Sequence, residues 1–188
     1  ATLGVPLTLL EPNSTLGLAN RILAPMCKRA FVAWEETAIK IGRDKCHKYG
    51  VPLRSGFTPI AMPSNSPKRI LVMGGSQGAK AINDRMPRAV AFAQKALGPI
   101  SVLHQTGKDR DEEVREMYRA EGVGEANVVT FIDNVADEIA AADLVVARAG
   151  AVTVAEICAI GRPSILIPFP HAADDHQAKN AIALAELG

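Results

Sequence analysis

Apolar residues in this chain follow two rhythms. Short apolar-rich runs at Arg69–Met73, Ser101–Gln105, Val128–Ile132, Leu144–Ala147 and Ser164–Pro168 alternate with longer stretches where apolar positions recur every three or four residues. The runs predict buried strands, and the stretches near 79–97, 109–121, 135–141, 152–160 and 175–187 predict helices. In the first stretch Ile82, Met86, Ala89, Val90, Ala93 and Leu97 form one apolar stripe. Pro87 lies inside it and predicts a kink or a broken first turn. Runs without polar alternation suit a parallel sheet covered on both faces, so residues from 69 onward read as doubly wound α/β. Residues 1–34 read as the end of another such unit: a strand over 5–10, the loop EPNST, a helix over 16–26 and the strand AFVAW. Prolines, glycines and serines crowd the stretch from 48 to 68, a linker composition. The expected organisation is a domain remnant over 1–47, a linker over 48–68, and a second domain over 69–188 that stops before its end.

Composition narrows the function classes. Net charge is +1, with 21 basic against 20 acidic residues, so no global field points to nucleic acid. Aromatic residues make up only 4% of the chain, too few for a base-stacking surface. Cys27, Cys46 and Cys158 lack pair spacing and suit a reducing compartment rather than a disulfide framework or zinc ribbon. Cys46-His47 reads as part of an exposed loop. No run reaches the roughly 18 apolar residues of a membrane span, and no signal peptide opens the chain. The expectation is a cytoplasmic protein cut from within a longer one.

Three clusters carry candidate chemistry. Ligands of open α/β sheets bind beyond the carboxyl ends of the strands, and GGSQG stands there, between the run ending at Met73 and its helix. Glycines at that place let main-chain N–H groups approach an anion, and the helix N-terminus adds its positive dipole end. The spacing is neither a Walker A loop nor a dinucleotide fingerprint, and a tight turn without a ligand explains it as well. The second cluster, ARAGAVTVAE, repeats a glycine at a helix start. Here Glu156 has two readings: the last residue of a Thr153-Val-Ala-Glu156 capping box, or a carboxylate near the ligand edge that binds ribose hydroxyls. The third, PFPHAADDHQAKNA, gathers His176, Gln177 and Asn180 near a helix start, where Asp174 or Asp175 is the expected N-cap. His171 and His176 are five apart across a loop, unlike a helical metal pair.

Taken in order, these clusters resemble the MurG family, bacterial transferases that move N-acetylglucosamine from UDP-N-acetylglucosamine to undecaprenyl-pyrophosphoryl-muramyl-pentapeptide (lipid I) in peptidoglycan synthesis. LLEPNSTLGLAN resembles the family's His-Glu-Gln-Asn stretch, VPLR its interdomain Asn-Pro-Val-Arg, and LVMGGSQGAKAIN its second glycine loop. LHQTGK, FIDNVADEIAAADLVVARAGAVTVAEI and PFPHAADDHQAKNA follow in family order. The resemblance implies a GT-B fold of two Rossmann-like doubly wound parallel-sheet domains. This chain would hold the end of the first and most of the second.

It also implies roles. Gly74, Gly75 and Ser76, joined by Arg54, would hold the diphosphate. Ile132 would read uracil through its main chain, and Val135 would pack over the base. Ala151, Val152 and Thr153 would line the helix start at the phosphates, and Glu156 would take the ribose hydroxyls. His176, Gln177 and Asn13 would meet the sugar hydroxyls. The sequence departs from the family at Leu10 and Pro12, where His and Gln are usual, and at His176, where some relatives carry Gln. The catalytic base would lie in the family's N-terminal glycine loop upstream of Ala1, together with the contacts to lipid I and to the cytoplasmic face of the inner membrane. No metal, cofactor or nucleic-acid partner is implied. The competing readings are a non-catalytic UDP-sugar-binding subunit paired with a separate acceptor subunit, and a sugar-nucleotide epimerase of similar shape.

Overall fold

The computed structural model of the chain describes residues 4–64, 68–75, 77–124 and 126–187. Their contacts form two units, one built from Ala1–Arg54, Ala149–Ala155 and Pro168–Gly188, the other from Ser55–Arg148 and Glu156–Ile167.

The first unit carries a parallel three-stranded sheet of β1 (Thr8–Glu11), β2 (Arg29–Val32) and β3 (Cys46–Lys48), in that order. Helix α1 (Leu18–Leu23) is shorter than the predicted 16–26 because Pro25, which has no N–H to donate, turns Ala24–Met26 into a 3-10 segment. Helix α2 (Glu35–Ile41) buries Thr37, Ala38 and Ile41 over a core of Leu9, Ala30 and Val32. Cys46-His47, expected in a loop, forms the edge strand instead, with Cys46 opposite Ala30. Two further helices contribute to this unit: α7 (His176–Ala185) and the first half of α6 (Ala151–Ile160).

The second unit is a five-stranded parallel sheet, ordered β6 (Ala126–Val129), β5 (Ile100–Gln105), β4 (Lys68–Met73), β7 (Leu144–Ala147), β8 (Ser164–Leu166). Side chains alternate between its two faces, as a pleated strand requires. Val72, Val102 and Val146 point into a core completed by Ile82 and Val90 of α3 (Lys80–Leu97) and by Val114 and Tyr118 of α4 (Asp111–Ala120). Leu71, Leu103 and Val145 point the other way, against Ile139 of α5 (Val135–Ala141) and Ile157 and Ile160 of α6. Helices on both faces make this the doubly wound arrangement read from the sequence. Helix α3 continues through Pro87, which is buried, so the first turn is not broken there.

Two strands end earlier than predicted, for one reason. Strand β6 pairs only with β5, and the register runs out at Gln105 opposite Val129, so residues 130–134 leave the sheet as a loop. Likewise β8 ends at Leu166, opposite the last residue of β7.

Candidate functional site

In the second unit the strand order reverses at β4. The chain first winds outward through β5 and β6, then returns to place β7 on the other side of β4. The carboxyl ends of β4 and β7 therefore flank the topological switch point, where open α/β sheets place their ligands.

The turn after β4 uses its glycines for two different purposes. Gly74 donates its N–H to the Gln105 carbonyl at 3.0 Å, and a Cβ there would lie 2.9 Å from that same oxygen. Gly78 has φ +74°, and a Cβ on it would strike the Thr106 carbonyl. Gly107, at φ +83°, packs its backbone directly on Gly78. These three are glycine because the loops after β4 and β5 pack backbone against backbone. Gly75 differs: its φ is +76°, it is exposed, and a side chain there would meet nothing within 4 Å. Gly75 thus leaves open space at the turn, whereas the Gly74 amide is already committed to the Gln105 carbonyl. Ser76, assigned to the diphosphate by resemblance, lies outside the described residues.

Beneath this turn runs a buried polar relay. His104, with no exposed surface, bonds Tyr118 Oη through Nδ1 at 3.0 Å and Asn83 Oδ1 through Nε2 at 3.2 Å. Asn83 in turn donates to the Thr106 carbonyl at 3.0 Å. Burial pulls the imidazole pKa down to about 4, so His104 is neutral at physiological pH.

Beyond β6, Ile132 buries its side chain in the Leu71–Ile139 core, which fixes its peptide, and Val135 opens α5 while packing on the same core. At the end of β7 stands Arg148, half-buried, donating to the Ile167 carbonyl at 3.1 Å; burial lowers its pKa. Sequence reasoning quoted this residue within a turn but assigned it nothing. Its signal is a lone cation at the carboxyl end of a strand beside the switch point. Glu156 is buried in the second turn of α6. The capping box is excluded, because the helix already begins at Ala151, with Val154 N–H donating to the Gly150 carbonyl at 2.9 Å. Thr153 is thus a helical residue and not an N-cap.

The remaining candidates belong to the first unit. Ala151, Val152 and Thr153 form the first turn of α6, with Val152 exposed. Arg54 is exposed in the extended segment after β3. Gln177 accepts the Phe169 N–H at 3.0 Å through Oε1. His176 starts α7 and is half-buried. Asp175 holds the expected N-cap position with left-handed backbone (φ 55°) but makes no side-chain capping bond.

Asn180, one turn along α7, is fully buried and joins three segments. Its Oδ1 accepts from Ser14 N at 2.9 Å and Ser14 Oγ at 3.1 Å, and its Nδ2 donates to Asn13 Oδ1 and the Ala149 carbonyl, both at 3.1 Å. Asn13 Nδ2 donates to Glu11 Oε1 at 3.0 Å, and the Glu11 carboxylate also accepts from Gly17 N and Asn20 Nδ2, each at 3.0 Å. The amide expected to meet sugar hydroxyls is therefore already bonded at both ends.

Residues 69–188 match the glycosyltransferase family 28 C-terminal domain. A UDP-N-acetylglucosamine–N-acetylmuramyl-(pentapeptide) pyrophosphoryl-undecaprenol N-acetylglucosamine transferase of Sorangium cellulosum is 54% identical, over 97% of this chain and 46% of its own length. The transferase of the same description from Hydrogenovibrio crunogenus is 43% identical over 99% of this chain and 52% of its own. Among solved structures, Acinetobacter baumannii MurG superposes with a TM-score of 0.79 at 32% identity, covering 100% of this chain and 53% of that one. The chain spans about half the length of the curated relatives it matches. From the parallel sheet to the glycine turn at its switch point, it belongs to the family of the glycosyltransferase family 28 C-terminal domain.

Proposed function

We propose that the chain is the donor-binding portion of an inverting transferase that moves N-acetylglucosamine from UDP-N-acetylglucosamine to lipid I, forming lipid II for peptidoglycan. The observation that carries this reading is the match, at 54% identity over 97% of the chain, to a transferase of that description. In this proposal residues 1–47 belong to the acceptor-side domain, 48–68 to the linker and 69–188 to the donor domain.

Departure of UDP builds negative charge on the diphosphate, and main-chain donors fixed in advance stabilise that charge without reorganising. Gly75 is the open backbone position for it in the second unit. In the first unit the α6 N-terminus at Ala151–Thr153 supplies a positive dipole end, with Arg54 as a further cation. Ile132 reads the uracil edge by its peptide, Val135 covers the base, and Glu156 accepts the ribose hydroxyls. His176 and Gln177 meet the sugar. Asn13 does so only with what its bonds to Glu11 and Asn180 leave. We assign the acceptor-activating base, the lipid I contacts and peripheral attachment to the inner membrane's cytoplasmic face to the half of the enzyme outside these 188 residues. Among the described residues no helix is long and apolar enough to cross a membrane.

Calorimetric titration tests the donor assignment. UDP is expected to bind at least tenfold tighter than ADP, about 1.4 kcal/mol, because a fixed peptide reads a base edge only when donors and acceptors match. Equal affinities would overturn the uracil assignment at Ile132.

A further inference from the structure

His104 lies one residue before the end of β5, buried and outside every role assigned so far. Its hydrogen bonds admit one proton arrangement, and a backbone atom dictates it. The Thr106 carbonyl can only accept, so the Asn83 group 3.0 Å away is the NH2. That turns Asn83 Oδ1 toward His104 Nε2 at 3.2 Å, and Nε2 must carry the hydrogen. In a neutral ring Nδ1 is then bare, and it accepts the Tyr118 hydroxyl at 3.0 Å.

The surroundings keep the ring in that form. Val72 on β4 and Val128 on β6 stand beside His104 in register, α3 presents the neutral Asn83, and α4 presents Tyr118. Tyr118 is the titratable neighbour, and burial pushes its pKa upward, so it too is uncharged.

What the relay holds is the seat of the glycine turn. Thr106 receives the Asn83 amide on its carbonyl, and the same carbonyl is what a side chain on Gly78 would strike. Gly107, the next residue, packs on Gly78, and Gly74 is tied to Gln105. Any movement of the Gln105–Gly107 backbone moves the turn that carries Gly75.

We propose that His104, as the neutral Nε2–H tautomer, is a positioning residue for the nucleotide site, acting through Asn83 and the Thr106 carbonyl to set the turn that carries Gly75. The proposal rests on the reading of that turn as the diphosphate seat. Its direction is specific: Asn83 lies between His104 and the turn, whereas Tyr118 lies on the far side.

The test titrates the 188-residue chain with UDP-N-acetylglucosamine, whose diphosphate is a diester and does not itself ionise between pH 4 and 8. Asn83→Asp, which puts a carboxylate against the Thr106 carbonyl, is expected to weaken binding at least tenfold, and His104→Leu similarly. His104→Gln, which can still donate to Asn83, should stay within threefold of the wild type, as should Tyr118→Phe. ¹⁵N spectra of the His104 imidazole in the wild-type chain should show Nε2 protonated and Nδ1 bare, unchanged from pH 8 to 5.5. Folded Asn83→Asp and His104→Leu variants that bind as the wild type does would reduce the relay to a structural element. A protonated Nδ1 on His104, or a His104 ring that becomes doubly protonated with a midpoint near pH 6.5, would overturn the proposal on the wild-type chain alone, whether or not those variants fold. A wild-type chain with the expected tautomer that does not bind UDP-N-acetylglucosamine would instead overturn the reading of the turn as a nucleotide seat, and the positioning role with it.

Discussion

Gly107→Ala is expected to destabilise the chain by roughly 2–4 kcal/mol, whereas Gly122→Ala, at nearly the same backbone angle, should cost no more than about 1 kcal/mol. Both glycines have positive φ, +83° and +75°. An alanine at either pays the left-handed penalty of about 1 kcal/mol. Only at Gly107 does the added Cβ also strike main chain: Gly78 N, Gly78 Cα at 2.5 Å and Gln77 C at 3.0 Å. Backbone cannot swing aside as a side chain can, so overpacking adds about 1–3 kcal/mol. At Gly122 nothing lies within 4 Å. Urea unfolding of the two variants at equal m-value reads the difference. Equal losses would show that the loops after β4 and β5 do not interlock.

Arg162→Met should cost about 3–5 kcal/mol, a size reserved for broken buried networks. Arg162 is 5% exposed. Its guanidinium donates to the carbonyls of Ala140 at 2.6 Å, Ile60 at 2.8 Å, Ala61 at 2.9 Å and Gly161 at 3.2 Å. These four partners are main-chain oxygens: Ala140 near the C-terminus of α5, Gly161 just after α6, and Ile60 and Ala61 in the segment leading to β4. A cation at two helix C-termini satisfies their orphan carbonyls and opposes their negative dipole ends. Methionine keeps the volume but leaves those carbonyls unpaired, at about 1–3 kcal/mol for each one that water does not reach. Arg162→Lys keeps the charge without the planar fork and should recover about half the loss. Melting temperature measures both. Amide exchange should further show Ile60, whose N–H bonds the Ile160 carbonyl at 3.2 Å, losing protection first in the Met variant. A Met variant as stable as the wild type would contradict the anchoring role.

The sequence made the second sheet legible because its strands are buried from both faces. Leu71-Val72-Met73 and Val145-Val146-Ala147 read as unbroken apolar runs, and the alternation that sorts them between two cores does not disturb that signal. Helix α5 was readable to the residue because a short amphipathic stretch lies between two loop signals. Strand β3 was not, since Cys46–Lys48 is a three-residue edge that pairs with β2 alone among the described strands. The over-long Val128–Ile132 run fails for a related reason: its partner strand stops at Gln105.

The site was legible as a set of places, less so as a set of roles. GGSQG marks the carboxyl end of β4, but nothing local separates Gly74 and Gly78, which packing demands, from Gly75, which stands open. That distinction is made by Thr106 and Gly107, about thirty residues later. Asn180 likewise reads as one polar residue among several near a helix start. Its burial against Ser14 and Ala149 is a long-range fact. Glu156 shows the reverse case, where a locally valid capping-box pattern loses because the helix starts at Gly150 and Ala151 instead.

Amide chemical-shift mapping during titration with UDP-N-acetylglucosamine most directly tests the claim that a nucleotide diphosphate seats on the turn after β4. The Gly75 amide is expected to shift most within the glycine turns, with Ile132 following. Gly122, equally left-handed and equally open but far along the chain at the end of α4, should stay in place. Saturable shifts elsewhere with Gly75 and Ile132 unmoved would contradict it.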